Sequence, residues 1–116
     1  MASKSKNEIS FDDFEKIEFR VGTIIEAKEF AEAKKAAYKL LIDFGELGKK
    51  KSSAQITDLY TVEELKGRQI IAVTNFPSKQ IASLKSECLV LGATESGSEV
   101  ILLKTDKKVP NGTVIR

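Results

Sequence analysis

The chain has 116 residues, 41% hydrophobic and 31% charged, with 19 Lys+Arg against 17 Asp+Glu, one Cys and no His or Trp. That suits one domain built around a single core and argues against wholesale disorder. It excludes imidazole-based catalysis, Cys-based zinc sites and intrachain disulfides, leaving a non-enzymatic binding protein with no metal and no cofactor as the expectation.

Residues 1–9 read as a flexible N-terminal arm and 10–116 as the folded domain. Ser10 is placed to cap a short helix beginning Phe11-Asp12-Asp13-Phe14, whose acids suit the positive end of the helix dipole. Phe11 and Phe14, three apart on one side, are expected to anchor that helix to the body. Phe19 to Lys28 alternate with a period of two, which predicts a long strand, and Gly22 within it suggests a bulge or tight bend. Further strands are expected over about Ala37 to Phe44 and Lys50 to Ile56.

Thr61 and Glu64 have capping-box spacing, and Gly67 is placed to end the resulting short helix. Gln69 to Asn75 is a near-continuous run of strand formers, predicted to be buried on both faces and ended by Pro77. Ser78 to Ser86 reads as a polar loop. Cys88 to Leu91 and Val100 to Leu103 are expected to pair as a hairpin across a Ser/Gly-rich turn at Thr94 to Ser98, and Pro110-Asn111-Gly112 predicts a turn before a last extended segment. The whole is all-β: a five-stranded OB-fold Greek-key barrel with a short helix between strands 3 and 4 and short additions at both ends. A small β-sandwich is the competing architecture, and the inserted helix favours the barrel.

The formal net charge of +2 hides an uneven distribution. Glu8 to Glu18 carries five acids against one lysine, whereas Lys66 to Ser86 carries four cations and no acid. Between Lys28 and Lys51, seven lysines face four acids. A basic face is one reading; lysines that merely solvate strand edges and loop tips are the other. No phosphate-loop or dinucleotide fingerprint is present, and Cys88 falls in an apolar strand pattern, as an inert thiol would. Two segments are polar beyond the needs of a scaffold. Lys49-Lys50-Lys51-Ser52-Ser53-Ala54-Gln55 puts Ser53 and Gln55 on one strand face behind three cations. Asn75-Phe76-Pro77-Ser78-Lys79 sets an amide, a ring and a cation around a rigid turn, followed by Ser86-Glu87. Such groups suit an extended ligand. Turn chemistry around a barrel mouth accounts for the same residues.

Asp13-Phe14-Glu15-Lys16-Ile17 followed by Arg20-Val21-Gly22-Thr23-Ile24 resembles the opening of the tRNA-binding OB-domain family, found appended to methionyl-tRNA synthetases and as free-standing proteins. The similarity continues through Asp43-Phe44-Gly45, Glu63 to Gly67, Asn75-Phe76-Pro77, Ser86 to Gly92 and Val109 to Gly112. Ser52-Ser53-Ala54-Gln55-Ile56-Thr57 resembles the CsaA-type, export-related chaperone members. Gln80 departs from the family, where a second basic residue beside Lys79 is usual. The resemblance implies a non-catalytic homodimer that binds unfolded, export-bound polypeptides, with tRNA as the alternative partner. It implies ligand contacts from Ser53, Gln55, Asn75, Phe76, Lys79, Ile81, Ser86 and Glu87, and phosphate contacts from Lys49, Lys50, Lys51 and Lys85. The dimer interface is expected to draw on Phe11, Phe14, Val109, Pro110, Val114 and Ile115. With no apolar run of the ~18–20 residues a membrane helix needs, and no hydrophobic stretch at the start, the expected location is cytoplasmic without membrane insertion.

Overall fold

The computed structural model describes residues 5–95 and 99–116. Helix α1 (Phe11–Glu15) is held by a reciprocal cap: Ser10 Oγ accepts from the Asp13 N–H, and the Asp13 carboxylate accepts from the Ser10 N–H. Strands β1 (Phe19–Glu29), β2 (Tyr38–Asp43) and β3 (Lys49–Ala54) follow as an antiparallel meander. Helix α2 (Val62–Leu65) is capped by Thr61 and Glu64 as their spacing requires, with Gly67 in a left-handed conformation just beyond. Strand β4 (Gln69–Val73) then pairs with β1.

The chain continues through β5 (Lys79–Ile81), β6 (Leu84–Ser86), β7 (Leu89–Val90), β8 (Gly92–Thr94), β9 (Val100–Leu102) and β10 (Val114–Ile115). The main sheet runs β3-β2-β1-β4-β7, with β10 added to β1. Glu87 closes the ring from β7 back to β3. Its N–H donates to the Lys51 carbonyl at 2.8 Å, and its carboxylate accepts from the Lys51 N–H at 2.9 Å. Ser52 adds a third tie, its buried hydroxyl donating to the Cys88 carbonyl at 3.0 Å. The result is the expected all-β, OB-type barrel, nearly closed, filled by Ile24, Leu40, Ile42, Phe44, Ile56, Leu65 and Ile70.

Several local expectations need correction. The bulge in β1 is at Ile25: Ile24 faces Ile42 and Glu26 faces Leu41, which leaves Ile25 extra. Gly22 instead marks a close approach, since a Cβ there would lie 2.6 Å from Ile42 Cγ2 and 2.7 Å from Phe44 Cε1. The polar loop at 78–86 is a hairpin, β5 against β6, with a two-residue turn at Ala82-Ser83. Cys88 to Leu91 does not pair chiefly with 100–103. Leu89 and Val90 take the free edge of β4, and the hairpin partner of β9 is β8. Part of the turn expected between them, residues 96–98, lies outside the described residues. Strand β4 is fully buried on its inward side only, with Gln69 and Ile71 half-exposed. In α1, Phe14 packs on Phe19 with ring centroids 5.7 Å apart, while Phe11 reaches only Phe14 and stays 72% exposed.

Candidate binding face on the barrel

The alternation of β2 and β3 decides which side chains leave the core. Tyr38, Leu40 and Ile42 point inward together with Ser52 and Ala54. Lys39, Leu41, Lys51 and Ser53 therefore face out, beside the β5–β6 hairpin and the 30–37 loop. A small satellite core of Phe30, Ala37 and Leu84, with Ala33 and Ile81 against it, packs hairpin and loop together, and Ser83 Oγ donates to Glu32 at 2.7 Å across their tips. The face is thus framed by two elements that brace one another.

Three depressions open on it. One of about 480 Å³ is lined by Ser53, Phe76, Pro77, Lys79, Ile81, Ser86, Cys88 and Leu89. Its floor is mostly apolar, with Phe76 51% and Leu89 49% exposed, and Lys79 at the rim. A second, of about 600 Å³, shares Ser53, Lys79 and Ile81 with the first and adds Gln55, Gln80, Glu32, Lys34 and Lys35. The third, of about 360 Å³, lies over β1–β3 between Glu26, Lys28, Lys39, Leu41, Lys51 and the Ser83–Leu84 turn. Six lysines line these depressions, against Glu26 and Glu32. Lys28 pairs with Glu26 at 3.6 Å, and Lys39 lies 5.5 Å from the Phe30 ring centroid.

Of the residues singled out in the sequence, Ser53, Gln55, Phe76, Lys79, Ile81 and Ser86 come together here. Asn75 is elsewhere: its Oδ1 accepts from the Glu18 N–H at 2.9 Å and its Nδ2 donates to the Lys16 carbonyl at 2.7 Å. Both ends of the amide are used to strap the segment after α1 to the end of β4. Glu87 is likewise occupied in closing the barrel. The three lysines of β3 do not share a face. Lys51 lines the third depression and Lys49 is exposed at the strand start, whereas Lys50 is half-buried on the other side, within electrostatic reach of Glu18 and Cys88. Lys85 is exposed on β6 opposite Gln80. Lys28, Lys39 and Leu41 escaped sequence reasoning, although the period of β2 already put Lys39 and Leu41 opposite the core residues.

The electrostatics suit binding better than chemistry. Burial pushes the Cys88 thiol up to about 11, so it is not a thiolate at neutral pH. No group of three or more His, Cys, Asp or Glu side chains able to hold a metal occurs among the described residues. No helix among them is long and apolar enough to cross a membrane.

A barrel of this topology, bearing an aromatic-floored groove and lysines on its β2–β3 side, is an OB-fold binding protein. The tRNA binding domain family matches residues 19–114, and the chain belongs to that family. It is 39% identical over 113 residues, 97% of its length, to a methionine–tRNA ligase of Methanothrix thermoacetophila, of which it spans only 16%. Among solved structures it is similar to the chaperone CsaA of Bacillus anthracis, with 50% identity, a TM-score of 0.92 and coverage of 95% of this chain and all of that one. The CsaA chaperone protein of Picrophilus torridus is 53% identical with a TM-score of 0.87, covering 94% of this chain and all of that one.

Proposed function

We propose that the chain is a non-catalytic, CsaA-type OB protein that binds tRNA on the β2–β3 face. The carrying observation is the pairing of an exposed ring, Phe76, with six lysines on one braced surface. A base stacks on the ring while ammonium groups meet phosphates, the usual division of labour for a partly single-stranded nucleic acid. If four to six phosphates are neutralised, affinity falls roughly 10²- to 10³-fold between 50 and 200 mM salt, at a slope of about 0.7–0.9 per contact. Fluorescence anisotropy with labelled tRNA measures this directly. An affinity indifferent to salt refutes the reading. Phe76→Ala should cost about 1–3 kcal/mol, roughly 5- to 150-fold in Kd, with the salt slope retained.

A second reading is favoured by the floor of the first groove, where Phe76, Pro77, Ile81, Cys88 and Leu89 offer apolar contact beside Lys79. Two structures resembling nearly the whole chain carry the name chaperone. In this reading the groove takes nonpolar side chains of an unfolded, export-bound polypeptide. Suppression of client aggregation, insensitive to salt and weakened by Phe76→Ala, is the expected result. No suppression at several-fold excess sinks it.

Both readings have the protein acting as a homodimer. Phe11 and Val114 are exposed at adjoining chain ends, since β10 pairs Ile115 with Phe19, on which the Phe14 and Phe11 rings are stacked in turn. A second copy, with Val109 and Pro110 at its margin, covers these groups in the two-fold manner common to small oligomers. Light scattering should give twice the chain mass, and Phe11→Asp with Val114→Asp should give the monomer. A wild-type monomer at micromolar concentration refutes it.

A further inference from the structure

A second basic cleft, of about 430 Å³, shares no residue with the three depressions of the binding face. One wall is the link between α2 and β4, carrying Lys66 and Arg68; the other is the segment after β9, carrying Lys104 and Lys108. Its acids are Glu64 and Asp106, and the Glu64 carboxylate already accepts the Thr61 N–H at 2.7 Å in the helix cap.

The cleft is built rather than fortuitous. Arg68 lies over the Tyr60 ring at 5.1 Å, and the Tyr60 hydroxyl accepts the Leu102 N–H at 3.0 Å, which joins the two walls. Gln69 joins them again: its Nε2 donates to the Val109 carbonyl at 2.7 Å, and its Oε1 accepts the Val109 N–H at 3.3 Å. The Gly67–Arg68 backbone is pinned to Ile24 of β1 by bonds of 2.7 and 2.9 Å. Within this frame Arg68 Nε is buried with no hydrogen-bond partner among the described residues, and Lys66, Lys104 and Lys108 take part in none of their ion pairs.

Four cations held on two fixed walls repel one another, and the planar fork of an arginine suits the oxygens of a phosphate. We propose that this cleft binds a backbone phosphate of the same tRNA whose looped-out bases occupy the β2–β3 face, so that the RNA is gripped on two sides of the barrel. The inference rests on the tRNA reading above. A structured RNA presents closely spaced phosphates on surfaces broader than one groove, so a second positive contact adds affinity and fixes orientation.

Lys104→Gln combined with Lys108→Gln tests this, because both side chains are exposed and the thermal midpoint should stay at that of the wild type. In tRNA titrations over a range of NaCl concentrations, the slope of log Kd against log salt should fall by roughly 1.4–1.8, two contacts at about 0.7–0.9 each. Binding of a trinucleotide, which needs only the groove, should be unchanged. A steep wild-type slope that the double variant leaves intact overturns the cleft alone. Failure of the wild type to bind tRNA overturns the tRNA reading and the cleft's role with it. Inorganic phosphate that shifts the Gly67 and Arg68 amide resonances at low millimolar concentration, with the slope unaltered by the variant, assigns the cleft to a small phosphate and also refutes the RNA contact.

Discussion

Gly22→Ala is the sharpest test of how the barrel is packed. The added Cβ would sit 2.6 Å from Ile42 Cγ2 and 2.7 and 2.8 Å from Phe44 Cε1 and Cδ1, all closer than carbon atoms approach in ordinary packing. Ile42 and Phe44 are both fully buried, so neither neighbour has open space to move into. Overpacking of this kind costs about 1–3 kcal/mol. Replacing a glycine outside the left-handed region returns about 0.4–1 kcal/mol by restricting the unfolded chain. The clash wins, with a net loss of about 1–2 kcal/mol. At roughly 4–8 °C per kcal/mol for a domain of this size, thermal unfolding by circular dichroism should show a midpoint lowered by about 5–15 °C. Phe44→Leu in the same chain removes the ring and should make the two substitutions cost less together than their sum. A midpoint for Gly22→Ala equal to or above the wild type refutes the close-approach argument.

Ala82, at the tip of the β5–β6 hairpin, has φ of +49°, a region that costs an L-residue about 1–2 kcal/mol. Ala82→Gly should therefore raise stability by about 0.5–1 kcal/mol in urea unfolding, and an unchanged or lowered midpoint contradicts it. Glu18 is held below the ordinary glutamate value of 4.5, first by the hydrogen bond from the Thr74 hydroxyl and then by Arg20. Because the folded value is the depressed one, the stabilisation is present above about pH 4.5 and is lost as the pH falls through the folded value. Thr74→Val should therefore be less stable than the wild type at pH 7, with the gap narrowing on acidification; a gap independent of pH refutes the linkage.

The barrel was legible because its signals are periodic and local. Alternation marked β1 and β2, spacing placed the Thr61–Glu64 cap, and Pro110-Asn111-Gly112 announced a turn that closes by a Thr113 N–H to Pro110 carbonyl bond. The β5–β6 hairpin was not legible. Its only large apolar residues are Ile81 and Leu84, and what organises it is their packing on Phe30 and Ala37, far off in sequence. The same limit explains the two residues read as ligand contacts that turned out to be engaged internally. Asn75 acts on Lys16 and Glu18, and Glu87 on Lys51, each across more than thirty positions. An amide or a carboxylate beside a binding segment looks the same in sequence whether it faces a ligand or a distant backbone.

The charge distribution gains a physical meaning from those partners. Many of the acids are committed inside the fold: Asp13 and Glu64 to helix caps, Asp43 to the Gly45 N–H, Glu87 to the Lys51 N–H, Glu32 to Ser83, and Glu18 to Thr74 and Arg20. A carboxylate fixed against an N–H or O–H is partly compensated and cannot swing out to meet a neighbouring ammonium group. The lysines are differently placed: among the described residues only Lys16 and Lys28 are ion-paired, both in exposed pairs of little strength. A nearly neutral total of +2 therefore coexists with outward, mobile positive charge and inward, fixed negative charge. An approaching polyanion meets ammonium groups free to reorganise around it, while the acids that balance them on paper are held back by the backbone they cap.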